Sequence, residues 1–273
     1  ETKMKDDLID KASYKNDFKI NYVNDKEDLK ESIITGTANV PRGGEHVDKT
    51  GSTNGRNATW RLDVNAAQST VDSIEIVDVL SANQVLNADA IEVFEATIDT
   101  DNKNVLVAGN PVTMGEGEKQ YTYTIDGNTL NMTIHGVIDQ PYIVTYKSFV
   151  LAANGEEINN SVDVDGKQIA NLSTGTSELN KQAFALAGAS ATATGSVTVK
   201  KTASHTGEPL EGVVFNATFK ADPQQPDMPG EQTYTVSAIT DENGIATFSR
   251  LPYGEVEVYE AETIVGYILN SEP

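Results

Sequence analysis

Ile74 to Leu80 reads IEIVDVL, and the way its side chains divide decides the fold. A strand alternates its side chains across two faces, so Ile74, Ile76, Asp78 and Leu80 share one face and Glu75, Val77 and Val79 the other. The first face is apolar except for one carboxylate. Taken alone, such an aspartate is ordinary at a strand end or a sheet edge. Two other strands repeat the anomaly with a complementary polar group. In EHVDKTG, Lys49 shares a face with Val47; in INNSVDV, Asn160 shares a face with Ile158, Val162 and Val164. A lysine, an aspartate and an asparagine that all face inward are costly one by one and make sense as a single arrangement.

Working outward, the same period recurs in Ala58–Asn65, Ser73–Leu80, Ile91–Ile98, Val105–Ala108, Gln120–Ile125, Thr129–His135, Tyr142–Leu151 and Ile158–Val164. Short turn signals separate these runs: DTDNKN, DGN, DQP and ANGEE. Many short alternating strands with no helical period predict an all-β protein built from tandem immunoglobulin-like Greek-key β-sandwiches. The central sandwich is expected over residues 42–194, with Trp60, the one tryptophan, in its core. AFALAGASATAT (Ala183–Thr194) reads as a last strand running into a linker. DTDNK lacks the glycine and distal glutamate of a calcium loop and reads as a hairpin.

Residues 1–41 read as the closing strands of a preceding module. FKINYV (Phe18–Val23) lies over YIVTYK (Tyr142–Lys147), and IITGTANV (Ile33–Val40) ends over INNSVDV (Ile158–Val164), at one constant offset. Such a repeat indicates tandem domains. Gly36 stands where the later copy has Asn160.

Composition narrows the function. A formal net charge of -21 argues against a nucleic-acid partner or an anionic membrane surface. There is no cysteine, so neither disulfides nor thiolate chemistry enters. His46, His135 and His205 show no ligand spacing, and no metal or other cofactor is expected. No apolar run reaches the ~20 residues that span a bilayer, and no signal peptide is visible, so any secretion signal or anchor is expected outside this sequence.

From Gly195 the composition changes. GSVTVKKTASHTGEPLEGVVF and TDENGIATFSRLPYGEVEVYEAETIVGYIL resemble the B-type, prealbumin-like repeat of Gram-positive collagen adhesins, found in adhesin stalks and pilins. The resemblance covers residues 195–273. It implies that the opening-strand lysine, Lys201, forms an amide with an acceptor on the final strand, assisted by a buried glutamate. Glu260 shares the face of Val256 and Val258 and is the assisting acid; Glu262 is the competing choice. The expected final strand, with its acceptor, would lie beyond Pro273.

The central unit in turn resembles the collagen-binding module of the same adhesins, through VDKTG, WRLDVN, VDVLS and NNSVD. Val79 and Val162 depart from the usual residues there. This resemblance implies an amide between Lys49 and Asn160 with Asp78 as catalyst; Asn159 is the alternative acceptor, on the opposite strand face. Burial disfavours both charges, leaving a nucleophilic amine and a proton-donating acid. Each molecule would react once, so the chain is not expected to be an enzyme with turnover. Two functions follow from the resemblance. One is a cell-wall-anchored surface adhesin binding a host or extracellular-matrix protein, collagen-like or fibrinogen-like. The other is a structural stalk or pilin-shaft segment, although no pilin-motif lysine or sorting signal is visible. A hydrolase with paired carboxylates is a weak third, because 41 acidic residues make pairs by chance.

Overall fold

The computed structural model describes residues 11–24, 26, 28–153, 155–166, 176–183, 195–221, 231–252 and 254–270, with the backbone alone for 165, 166 and 176–183. Every regular element among the described residues is a strand. The first two, β1 (Ser13–Val23) and β2 (Leu29–Asn39), pair only with each other. Nine strands follow in close succession: β3 (Val47–Asn54), β4 (Asn57–Val64), β5 (Ile74–Leu80), β6 (Gln84–Ile98), β7 (Leu106–Pro111), β8 (Tyr121–Asp126), β9 (Thr129–Ile134), β10 (Tyr142–Val150) and β11 (Glu157–Gly166). With β12 (Thr176–Ala183) they form two five-stranded sheets, ordered β3-β4-β10-β6-β7 and β12-β11-β5-β9-β8.

The two sheets face each other as an immunoglobulin-like sandwich, because nearly every strand has one apolar row to hide. Trp60, Leu62, Val64, Tyr142, Val144 and Tyr146 come from one sheet. Ile74, Ile76, Leu130, Met132, Ile158 and Val162 come from the other, and all are buried in one core. Gly51 lies opposite Trp60 on the neighbouring strand. A Cβ there would come within 2.3 Å of the Trp60 ring, so the indole occupies the space a side chain would need.

The final domain has the prealbumin-like form. β13 (Gly195–Lys200) pairs with β16 (Ile245–Leu251), and β14 (Val214–Ala221) lies between β15 (Gln232–Ile239) and β17 (Val256–Glu262). The DENG turn closes the β15–β16 connection, where the Asp241 carboxylate accepts from the Asn243 and Ile245 amides.

Three features differ from the strand reading of the sequence. β6 begins at Gln84, well before Ile91, and β12 precedes the expected last strand, most of which lies outside the described residues. The third concerns the repeat. β10 and β11 sit in opposite sheets, whereas β1 and β2 form one hairpin with Phe18 opposite Ile34. Phe18 and Ile34 are 64% and 57% exposed, while their counterparts Tyr142 and Ile158 are both 0% exposed.

Candidate functional site

Lys49 projects from β3 into the sandwich, and Asp78 projects from β5 in the opposite sheet. Both side chains are fully buried and their charged ends are bonded to each other. β11 runs antiparallel to β5 with Val162 opposite Asp78, so Asn160 is the diagonal neighbour on the same face. The three inward residues therefore meet, and they span the two sheets. Asn159 takes the other face of β11, and its backbone carbonyl accepts from the Ser81 amide and the Gln84 side chain.

A fourth group joins them. The Tyr146 hydroxyl accepts from Lys49 Nζ at 3.0 Å and from Asn160 Nδ2 at 2.5 Å. It holds the amine and the carboxamide against one oxygen. Sequence reasoning missed this residue, although the alternation of YIVTYK puts Tyr142, Val144 and Tyr146 on one face. Lys49 Nζ also lies 5.7 Å from the ring centres of both Trp60 and Tyr146.

Electrostatics follow from the enclosure. Burial lowers the Lys49 amine to a pKa of about 8, although the nearby Asp78 opposes the shift. Burial raises the Asp78 carboxyl, against the pull of Lys49, Tyr146 and Asn160. Tyr146 is pushed well above its ordinary value by burial and then by Asp78. A low-dielectric pocket thus favours moving the proton from the amine to the acid. Two buried oxygens here have no hydrogen-bond partner among the described residues, Asp78 Oδ1 and Asn160 Oδ1. Both are acceptors while Asp78 is ionised. A proton on Asp78 turns one of its oxygens into a donor.

The second candidate pair also meets. Lys201 Nζ lies 2.6 Å from Glu260 Oε2, with the lysine side chain 24% exposed and the glutamate 3%. Glu262 is exposed and takes no part. Among the described residues Glu260 Oε1 and Thr263 Oγ1 are buried without partners, and no asparagine or aspartate bonds to Lys201. In the DTDNK turn, Asp99 Oδ1 accepts from the Asp101 and Asn102 amides at 2.7 Å, the chemistry of a hairpin turn.

The outer face of the second sheet carries a shallow groove of about 230 Å³. Glu75, Val77, Thr122, Thr124, Asn131 and Thr133 line it, and Val77 is 40% exposed.

Residues 44–175 match the family described as collagen binding domain, and residues 195–273 match the prealbumin-like fold domain. The chain thus joins a domain of each kind, and the resemblance read from the sequence stands in both. No curated protein matches the chain in sequence. Among solved structures, the chain is similar to the T6 backbone pilin of serotype M6 Streptococcus pyogenes, at 16% identity and a TM-score of 0.33 over 87% of this chain and 51% of the pilin. It is similar to the collagen binding domain of the Erysipelothrix rhusiopathiae surface protein RspB, at 19% identity and a TM-score of 0.37 over 57% and 49% of the two chains. It is also similar to a collagen-binding domain from a Staphylococcus aureus adhesin, at 16% identity and a TM-score of 0.36 over 50% and 96%. The chain spans about half the length of the first two.

Proposed function

We propose that this chain is a segment of a Gram-positive surface adhesin, anchored to the cell wall through a region outside it, whose partner is an extracellular-matrix protein of collagen type. The match of residues 44–175 to the collagen-binding family carries this reading. The groove over β5, β8 and β9 is a suitable contact face. It is open and lined by threonines, Asn131, Val77 and the carboxylate of Glu75, which suits a long regular polymer better than an enclosed small molecule. Surface plasmon resonance on collagen, fibrinogen, fibronectin and laminin tests it. Binding to collagen with loss on Val77→Arg supports the reading, and silence on the whole panel refutes it. A second reading, a stalk or pilin-shaft segment without a ligand of its own, is favoured by the prealbumin-like match over residues 195–273 and takes over in that event.

In either setting the sandwich is proposed to close on itself. Neutral Lys49 Nζ attacks Asn160 Cγ while Asp78, protonated, donates to the carboxamide oxygen. The new Nζ–Cγ bond forms, the Cγ–Nδ2 bond breaks, and the proton lost by the amine passes through Asp78 to the departing nitrogen, which leaves as ammonia. Asp78 ends as it began and no cofactor is consumed. The buried cluster of Lys49, Asp78, Tyr146 and Asn160 supports this step. The event happens once per molecule, so it is a crosslink between two sheets and not enzymatic turnover. Lys201 and Glu260 are proposed as the donor and assisting acid of a like bond in the last domain.

A further inference from the structure

The sandwich and the prealbumin-like domain meet through a built contact. On β10 the side chains alternate, with Tyr142, Val144, Tyr146, Ser148 and Val150 turned inward. Phe149 is on the outer face, the face on which Lys147 is exposed, yet Phe149 is only 1% exposed. The last domain covers it. Its ring centre lies 5.1 Å from that of Tyr234 and 5.8 Å from that of Phe219, and those two are themselves 5.8 Å apart. Val85, opposite Phe149 on β6, and Leu151 are buried in the same cluster, which continues into the core of the last domain through Phe215, Ala217 and Leu251.

Polar contacts frame this apolar centre. Asn87 Nδ2 donates to Gln232 Oε1 at 3.2 Å, and Tyr234 Oη donates to the same oxygen at 2.6 Å. Arg250 forms a two-pronged ion pair with Glu156, one arm at 2.8 Å, and this holds the Glu156 carboxyl below its ordinary value. A packed aromatic centre with a polar rim is the anatomy of a specific interface. Domains joined by a linker of small residues move relative to one another unless such an interface holds them.

We propose that this contact is a fixed joint, which makes the sandwich and the prealbumin-like domain one stiff segment. A pull on the last domain then enters the sandwich through the Phe149–Phe219–Tyr234 cluster as well as through the linker. The joint also sets the angle at which the outer sheet faces are presented. It does not depend on the proposed amide or on the partner.

The absence of cysteine makes the test direct. Spin labels at Ser52→Cys on the sandwich and Glu242→Cys on the last domain report the distance between the domains in the full chain by electron double resonance. The joint predicts one narrow distance distribution. Phe149→Ala broadens it, with Trp60 fluorescence showing that the sandwich remains folded. Glu156→Lys places like charges together and also broadens it, and adding Arg250→Glu narrows it again. A broad distribution in the otherwise unaltered chain, or one left narrow by Phe149→Ala and by Glu156→Lys alike, overturns the joint.

Discussion

Removing the proposed amide without leaving a stranded charge isolates what it contributes. Asp78→Ala stops the reaction but leaves the Lys49 amine buried without its carboxylate, which is destabilising in itself. The double variant Lys49→Met/Asp78→Ala avoids this. Methionine fills much of the lysine stem's space, and replacing a buried ion pair by apolar groups is often neutral. The fall in melting temperature of the double variant then reports mainly the lost crosslink. The bond would close a loop of roughly 110 residues, for which chain entropy gives about 4 to 5 kcal/mol. For a sandwich of this size each kcal/mol moves the midpoint by about 4 °C, so the fall is roughly 15 to 20 °C. Differential scanning calorimetry on the full chain measures it, with the transition assigned to the sandwich by Trp60 fluorescence. Asp78→Ala falls further than the double variant. A double variant that melts within about 3 °C of the parent refutes the reasoning, because the crosslink would then be absent or without weight.

Three other perturbations probe the same cluster. Tyr146→Phe removes the oxygen that holds amine and carboxamide together, and the amide should form about 10- to 100-fold more slowly, as followed by gel mobility after cell-free synthesis. Asn160→Ala keeps Lys49 and Asp78 but removes the acceptor. In the unaltered sandwich burial sets the Lys49 amine at about 8 against the ordinary 10.5, with Asn160 not among the causes, so in the variant the unfolded chain is expected to hold the proton more tightly between those values. Stability should therefore rise with pH across that window, by up to about 3 kcal/mol in urea unfolding relative to Lys49→Met/Asn160→Ala. Gly51→Ala places a methyl group where the Trp60 ring lies, so the ring or the strand must shift, which should cost about 1 to 3 kcal/mol and change the tryptophan emission.

Much of the site was legible because strand alternation needs no tertiary knowledge. Asp78 and Asn160 each interrupt an otherwise apolar row and Lys49 shares its face with Val47, and a polar break in a core row is visible one strand at a time. Tyr146 was not legible for the converse reason: a tyrosine beside Tyr142 and Val144 reads as ordinary core, and its hydroxyl acquires partners only when strands far apart in sequence come together. Glu260 and Glu262 fall on one face by alternation, so the sequence kept both in play, and the 2.6 Å contact with Lys201 selects Glu260. The first half of β6 escaped because Gln84, Val85, Leu86 and Asn87 are all buried, which erases the alternation. Val85 and Asn87 make contacts with the last domain, and a single strand's pattern carries no information about a neighbouring domain. Phe149 is hidden on the same grounds. The repeat linking β1 and β2 to β10 and β11 was plain in sequence, but pairing is decided by available neighbours. β10 lies between β4 and β6, and β11 lies between β5 and β12, whereas β1 and β2 pair with each other.

Whether Lys49 and Asn160 are joined shows in the intact mass of the denatured full chain, followed by peptide mapping. The expected mass is lower than the sequence mass by about 17 Da, the ammonia lost on amide formation. A branched peptide should link the Lys49 segment to the Asn160 segment, and Asp78→Ala should regain the mass and lose that peptide. A parent chain at its full sequence mass, with Lys49 and Asn160 recovered on separate unmodified peptides, contradicts the claim.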